Sequence, residues 1–262
     1  MSLVRIESPE YGITRLVLAR PGMHNALVPE LTGALLAALR AVAADPVCRA
    51  VVLAAEGPAF SIGGDMRRFR KERSGDLYAY AAGLVGQLNE AILALVDLPQ
   101  PVVAAVHGVV TGGSIGLVLA ADLAYVTPNV AFKAHYATAG FGPDGGWTAL
   151  VGGLAGRRRA ASALLLNRTV RADEAVAWSL VNEIVAPERL EETALAAARR
   201  IAAYPVGTMR AAKALLHGDR AALAADLEAE RRHFLELIDK PQAMAGVDAF
   251  LRDFTEYPDA TD

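Results

Sequence analysis

Apolar positions in this chain switch between a two-residue and a near-four-residue spacing, and the switches predict its elements. Leu3–Glu7 and Ile13–Ala19 alternate as strands do, joined by the turn-like Ser8-Pro9-Glu10-Tyr11-Gly12. Pro29 to Ala44 puts Leu31, Leu35, Leu39 and Val42 on one helical face, and Arg49–Ala55 reads as a short buried strand. Asp76–Val96 is apolar all round, which predicts a well-covered helix stopped by Pro99 and Pro101. Val102–Val106 reads as a strand, Ser114–Ala121 as a helix and Leu123–Val126 as a strand. This alternation predicts an α/β layer on largely parallel strands.

After about Arg157 the texture changes. Only Val181–Val185 still reads as a strand. Helices are predicted around Arg157–Leu166, Ala172–Ser179, Glu188–Tyr204, Val206–His217 and Arg220–Leu237, punctuated by Pro187, Pro205 and Pro241. The division expected is a core over residues 1–200 and a helical region over 201–262. That region is rich in Ala and Leu and suited to packing between subunits.

Composition narrows the function classes. The chain has 262 residues and a formal net charge of −3, which argues against a nucleic-acid partner. No apolar stretch looks long and unbroken enough to span a membrane, because glycines, His107 and Asp122 interrupt the best candidate. Met1–Glu7 lacks the basic and apolar blocks of a signal peptide, so a soluble cytoplasmic protein is expected. Cys48 is the only cysteine, which rules out an intrachain disulfide and a thiolate metal cluster, and no His/Asp/Glu cluster has metal spacing.

Two glycine-bearing turns carry the candidate chemistry. Phe60-Ser61-Ile62-Gly63-Gly64-Asp65 and Gly108-Val109-Val110-Thr111-Gly112-Gly113-Ser114-Ile115-Gly116 each follow a β-branched run and precede a predicted helix. Such turns leave backbone N–H groups pointing at a negative charge. The second turn has three readings. Gly112-Gly113-Ser114-Ile115-Gly116 matches a nucleophile elbow, with Ser114 attacking and Asp144, His217 or His233 completing a triad. It also reads as an oxyanion turn with Gly113 N–H as donor, or as a packing turn without chemistry. The first turn is not explained by a hydrolase elbow.

Two such turns about fifty residues apart resemble the layout of the crotonase (enoyl-CoA hydratase/isomerase) superfamily. The matching segments include Arg20–Leu27, Ala59–Met66, Pro101–Gly113, Ala120–Ala124, Phe141–Gly146, Arg171–Ala175 and Leu180–Val185. The resemblance implies a spiral of ββα units with a helical trimerisation region, as a homotrimer or a dimer of trimers. It implies an acyl-CoA substrate, no cofactor beyond that CoA and no metal. Carried over by position, Gly64 and Gly113 donate the two N–H groups to the thioester oxygen.

The same resemblance bears on the base. Catalytic carboxylates of the family stand where this chain has Gly116 and Tyr136, so both glutamates of a typical hydratase are missing. Asp144 matches the carboxylate of dienoyl-CoA and ring-modifying isomerases, and the nucleophile of aryl-CoA dehalogenases. Its alternative is to cap a helix over Gly145–Leu150. Tyr136, Phe141 and Trp147 are the expected apolar walls. His24, Arg67, Ile62, Asp65 and Met66 match CoA-contacting positions, and Ala26 would offer its carbonyl to the pantetheine. An isomerase using Asp144 is the expectation. The rivals are a hydratase or dehalogenase on the same fold, a Ser114 hydrolase and a non-catalytic acyl-CoA binder.

Overall fold

In the computed structural model, which describes residues 2–253, the amino-terminal alternation becomes an antiparallel hairpin. Its strands are β1 (Val4–Glu10) and β2 (Ile13–Leu18), with a register shift between Glu7 and Glu10. Strands β3 (Ala50–Ala55), β4 (Val102–Val106), β6 (Leu123–Val126) and β9 (Glu183–Ile184) then add in parallel, in the order β1-β2-β3-β4-β6-β9. A second sheet holds β5 (Val109–Thr111), β7 (Ala131–Lys133) and β8 (Thr169–Arg171). The chain steps from β4 to β5 and from β6 to β7, so successive strands divide between the two sheets. That is the ββα spiral the resemblance implied.

Helices cover both sheets. They are α1 (Pro29–Ala44), α2 (Met66–Glu72), α3 (Leu77–Asp97), α4 (Ile115–Leu119), α5 (Tyr136–Ala139), α6 (Leu150–Ala155), α7 (Arg157–Leu165) and α8 (Ala172–Ala177). The carboxy-terminal set is α9 (Leu190–Ala202), α10 (Val206–Leu216), α11 (Arg220–Ile238) and α12 (Pro241–Asp253). α1 buries the face predicted from Leu31, Leu35, Leu39 and Val42. Asp76 starts α3, its side chain accepting from Ala79 N at 2.8 Å. By length and mean hydropathy (1.4) α3 does reach the range of a membrane span, contrary to the sequence reading. It packs between α1 and α11 and buries ten residues, from Leu77 to Val96.

Three features depart from the expected elements. Thr169–Arg171 is a strand, hidden in the sequence because Val170 alone is buried there. The predicted strand Val181–Val185 contracts to β9. Pro241, read as a stop, is instead the first residue of α12, where its missing N–H costs nothing. The helical region is fastened to the core by Asp122. Its carboxylate accepts from Val102 N at 2.7 Å and from the buried Lys213 Nζ at 3.0 Å, and it pairs with His217 Nε2 at 3.0 Å.

Candidate active site

The two glycine turns meet because the loop after β3 runs along β5. Ser61 N donates to Val109 O (3.2 Å) and Thr111 N donates to Ser61 O (3.1 Å). Gly63 has φ +72°, and a Cβ there would stand 2.6 Å from Thr111 O, so the close approach requires glycine. Among the described residues, neither Gly64 N nor Gly113 N donates a hydrogen bond to a protein acceptor. Both glycines line one small cavity of about 50 Å³. Two unspent donors converging on an enclosed space can stabilise an oxyanion.

Ser114 is not presented as a nucleophile. It is fully buried, and its hydroxyl donates to Thr111 O (2.7 Å) and Ser61 O (3.1 Å). The histidines that would complete a triad are engaged elsewhere, His217 with Asp122 and His233 with Glu236.

Asp144 lines the same cavity. An added Cβ at Gly113 would stand 2.9 Å from each Asp144 carboxylate oxygen, so the carboxyl and Gly113 are immediate neighbours. The turn that brings it there depends on Gly145 (φ +65°), whose Cβ would lie 2.2 Å from Gly113 O. No helix begins at Gly145; turns occupy 145–149 and α6 starts at Leu150, so Asp144 has no helix to cap. Its Oδ1 instead receives the Tyr136 hydroxyl at 2.5 Å. Burial pushes the Asp144 carboxyl up to about 7, with Glu230 adding to the rise and the Tyr136 hydrogen bond opposing it. Burial, reinforced by the neighbouring carboxylate, holds the Tyr136 phenol protonated far above its ordinary range.

Glu230 of α11 anchors this turn. It accepts from Gly146 N (2.7 Å), Thr148 N (2.7 Å), Ala149 N (3.1 Å) and Thr148 Oγ1 (2.5 Å). A buried carboxylate surrounded by that many donors is well satisfied. Gly116, where a hydratase glutamate would stand, has no space for a side chain. A Cβ there would meet Gly145 O at 2.3 Å and Ile92 at 2.4 Å.

Phe141 and Tyr136 line the cavity as expected, together with Phe69, Leu88, Phe234 and Phe250. Trp147 does not. It is fully buried behind the oxyanion turn, its indole Nε1 donating to Gly112 O at 2.8 Å. Its bulk is spent beneath the turn because the 145–149 segment folds back against Gly113. His135 also faces the cavity, with burial lowering its imidazole to about 4 and its ring edge-on to Phe250 (5.7 Å).

The expected CoA-contacting residues gather in an adjoining channel of about 160 Å³. His24, Ala26, Ile62, Asp65, Met66 and Arg67 all line it. Ile62, Gly64, Met66 and Phe250 border both spaces, so channel and cavity adjoin at Gly64. Two groups are already committed within the protein. Asp65 caps α2 and pairs with Arg20 (2.8 Å), and the Ala26 carbonyl accepts from Arg20 Nη1 (2.8 Å). Exposed Arg67 reaches Met23 Sδ at 3.3 Å.

Residues 9–256 match the family model for enoyl-CoA hydratase/isomerase. The chain belongs to that family. Among similar proteins, a 4-chlorobenzoyl coenzyme A dehalogenase of Arthrobacter sp is 30% identical over 194 residues, 74% of this chain and 70% of that one. The 1,2-epoxyphenylacetyl-CoA isomerase of Escherichia coli K12 is 29% identical over 243 residues, 92% of this chain and 93% of that one. The crystal structure of an enoyl-CoA hydratase from Bacillus halodurans superposes with a TM-score of 0.88, covering 95% of this chain and all of that one. At 23% identity it attests the fold.

Sequence reasoning missed Phe234, Phe250 and Glu230. All three lie in helices that read as oligomerisation surface. Glu230 carried one usable signal, an acidic side chain next to an apolar heptad-like stripe (Leu227, Phe234, Ile238) that is buried in α11. No local pattern announced Phe250.

Proposed function

We propose that this family member is an acyl-CoA isomerase that moves a double bond by a proton shift through Asp144. The observation that carries the reading is the juxtaposition of Asp144 and Gly113. One carboxyl, poised near neutrality, lies beside an unspent oxyanion donor, and the usual second carboxylate position is closed at Gly116. In this scheme the acyl-CoA thioester oxygen lies between Gly64 N–H and Gly113 N–H. Asp144 removes a proton from the carbon α or γ to the carbonyl, and the electron pair passes into the enolate. The same carboxyl returns the proton two carbons away and ends as it began. A carboxyl with a pKa near 7 suits both halves, since each transfer is close to balanced. No cofactor beyond the CoA of the substrate is required.

A second reading is supported by the dehalogenase relative. There Asp144 would attack an aryl carbon and displace a halide. The hydrogen bond from Tyr136 draws charge from the carboxylate and the raised pKa leaves a smaller share of it ionised, which hampers attack and suits reversible proton transfer. The deciding experiment incubates the protein with 3-enoyl-, 2-enoyl-, phenylacetyl- and 4-chlorobenzoyl-CoA in D₂O and follows product mass. Deuterium at Cα or Cγ without hydration supports isomerisation. Gain of water, or release of chloride, replaces it with hydratase or dehalogenase chemistry.

A further inference from the structure

The peptide that supplies the Gly113 N–H is flanked by two glycines, Gly112 (φ +53°) and Gly113. A glycine pair lets a peptide rotate with little steric resistance. Rotation here would turn the Gly112 carbonyl into the cavity, toward Asp144 and the place assigned to the thioester oxygen. An acceptor would then replace a donor at the reacting centre. The Ile115 N–H of the turn that follows donates to the Gly112 carbonyl, and the Trp147 indole is a second donor to the same oxygen.

We propose that Trp147 is a positioning residue for the oxyanion donor, its indole N–H holding the Gly112 carbonyl on the side away from the cavity. The inference rests on the acyl-CoA reading given above. The chain has no cis peptide among the described residues, so the Gly112 C=O and Gly113 N–H point in opposite directions. The 2.8 Å bond from Trp147 Nε1 to Gly112 O, beside the bond from Ile115 N, therefore directs Gly113 N–H away from Trp147 and toward the cavity that Gly113 lines. A carbonyl that accepts a hydrogen bond also polarises its own peptide, which strengthens the N–H as a donor. Trp147 is three residues past Asp144, and Gly145 between them presses on Gly113. A single short segment thus sets the base and orients the donor. A phenyl group would fill much of the same buried space; the indole N–H is what the packing does not explain.

The test uses butanoyl-CoA carrying ¹³C at the thioester carbonyl, a saturated ligand with no double bond to shift, and reads its carbonyl stretch by difference infrared spectroscopy. Binding to the unaltered protein and to Asp144→Asn is expected to lower the stretching frequency. Trp147→Phe is expected to lose at least half of that displacement. On an active enoyl-CoA its kcat is expected to fall about 10- to 100-fold, less than outright loss of an oxyanion donor, with KM changing under about threefold. β-(3-Benzothienyl)alanine at position 147, which keeps the bicyclic shape without the N–H, is expected to do the same and covers the case in which Phe packs poorly. Full retention of the displacement and of kcat in both variants overturns the proposal. No displacement in the unaltered protein overturns it together with the oxyanion assignment. Displacement without D₂O exchange refutes the isomerase reading alone, and the position-147 variants still decide the role of Trp147.

Discussion

The Tyr136 hydroxyl donates to Asp144 Oδ1 at 2.5 Å and also reaches the Asp144 carbonyl oxygen at 3.0 Å. One phenol therefore fixes both the side chain and the backbone of Asp144. Because the bond favours the ionised carboxyl, its removal has a definite sign. In Tyr136→Phe the carboxyl pKa rises further, and the ascending limb of kcat/KM moves to higher pH by about one to two units, the worth of a hydrogen bond to a charged group. A pH–rate profile checks it. An unmoved limb would mean that Asp144 is not the group being titrated.

Stability should carry the mark of the same carboxyl. Its folded pKa of about 7 lies above the ordinary value of 3.8, so the native state holds the proton more tightly than the unfolded chain. The favourable contribution is complete below about pH 4 and is lost as pH rises through 7. The slope approaches about 1.4 kcal/mol per pH unit between those limits, and the whole effect is about 4 kcal/mol at most. Asp144→Asn removes that slope. Denaturant titrations of both proteins at pH 4.5 and 7.5 should diverge, with the variant gaining on the parent at the higher pH.

Glu230 acts on Asp144 in the opposite sense to Tyr136, since its charge disfavours a second carboxylate nearby. Glu230→Gln is expected to shift the kcat/KM limb to lower pH. It also weakens the bonds to Gly146, Thr148 and Ala149, at a cost of about 1.5–3 kcal/mol. Calorimetry reads the second effect as a fall in Tm of several degrees. A lower Tm with an unmoved limb would confine Glu230 to a structural role.

Restoring the glutamate of a hydratase at Gly116 should not restore hydration. The side chain would have to displace Gly145 O and Ile92, and overpacking of this kind costs about 1–3 kcal/mol or more. Gly116→Glu is expected to lower Tm and abolish proton exchange, with no water added to a 2-enoyl-CoA. Recovery of hydratase turnover would show that the 144–147 turn is far more yielding than its packing indicates.

The sequence carried the framework well where period and punctuation agreed. Pro29–Ala44, Val102–Val106 and Leu123–Val126 form with the expected bounds, because each buries one continuous apolar face. Gly63 and Gly145 could be read as glycines because a φ above zero and a backbone approach below 3 Å exclude other residues there, whereas Asp144 was picked out by the family resemblance alone. Thr169–Arg171 was illegible, since one buried valine among polar neighbours has no period. Phe234, Phe250 and Glu230 were hidden for another reason. Their importance comes from contacts with residues 69–149, a hundred or so positions away, and no local spacing encodes a long-range partner. Trp147 was singled out for its bulk, whereas the structure uses its single N–H.

The cavity wall formed by Phe234 and Phe250, and the clamp formed by Glu230, have a consequence for the order of assembly. The two glycine turns emerge from the ribosome early and can settle against each other as soon as β3 and β5 are present. The 144–149 segment is held from upstream by Tyr136, Gly113 and Gly112, but its bonds to Glu230 wait for α11, and the Phe250 wall of the cavity waits for α12. The cavity and the turn that carries Asp144 are complete only once residues 220–253 have been made.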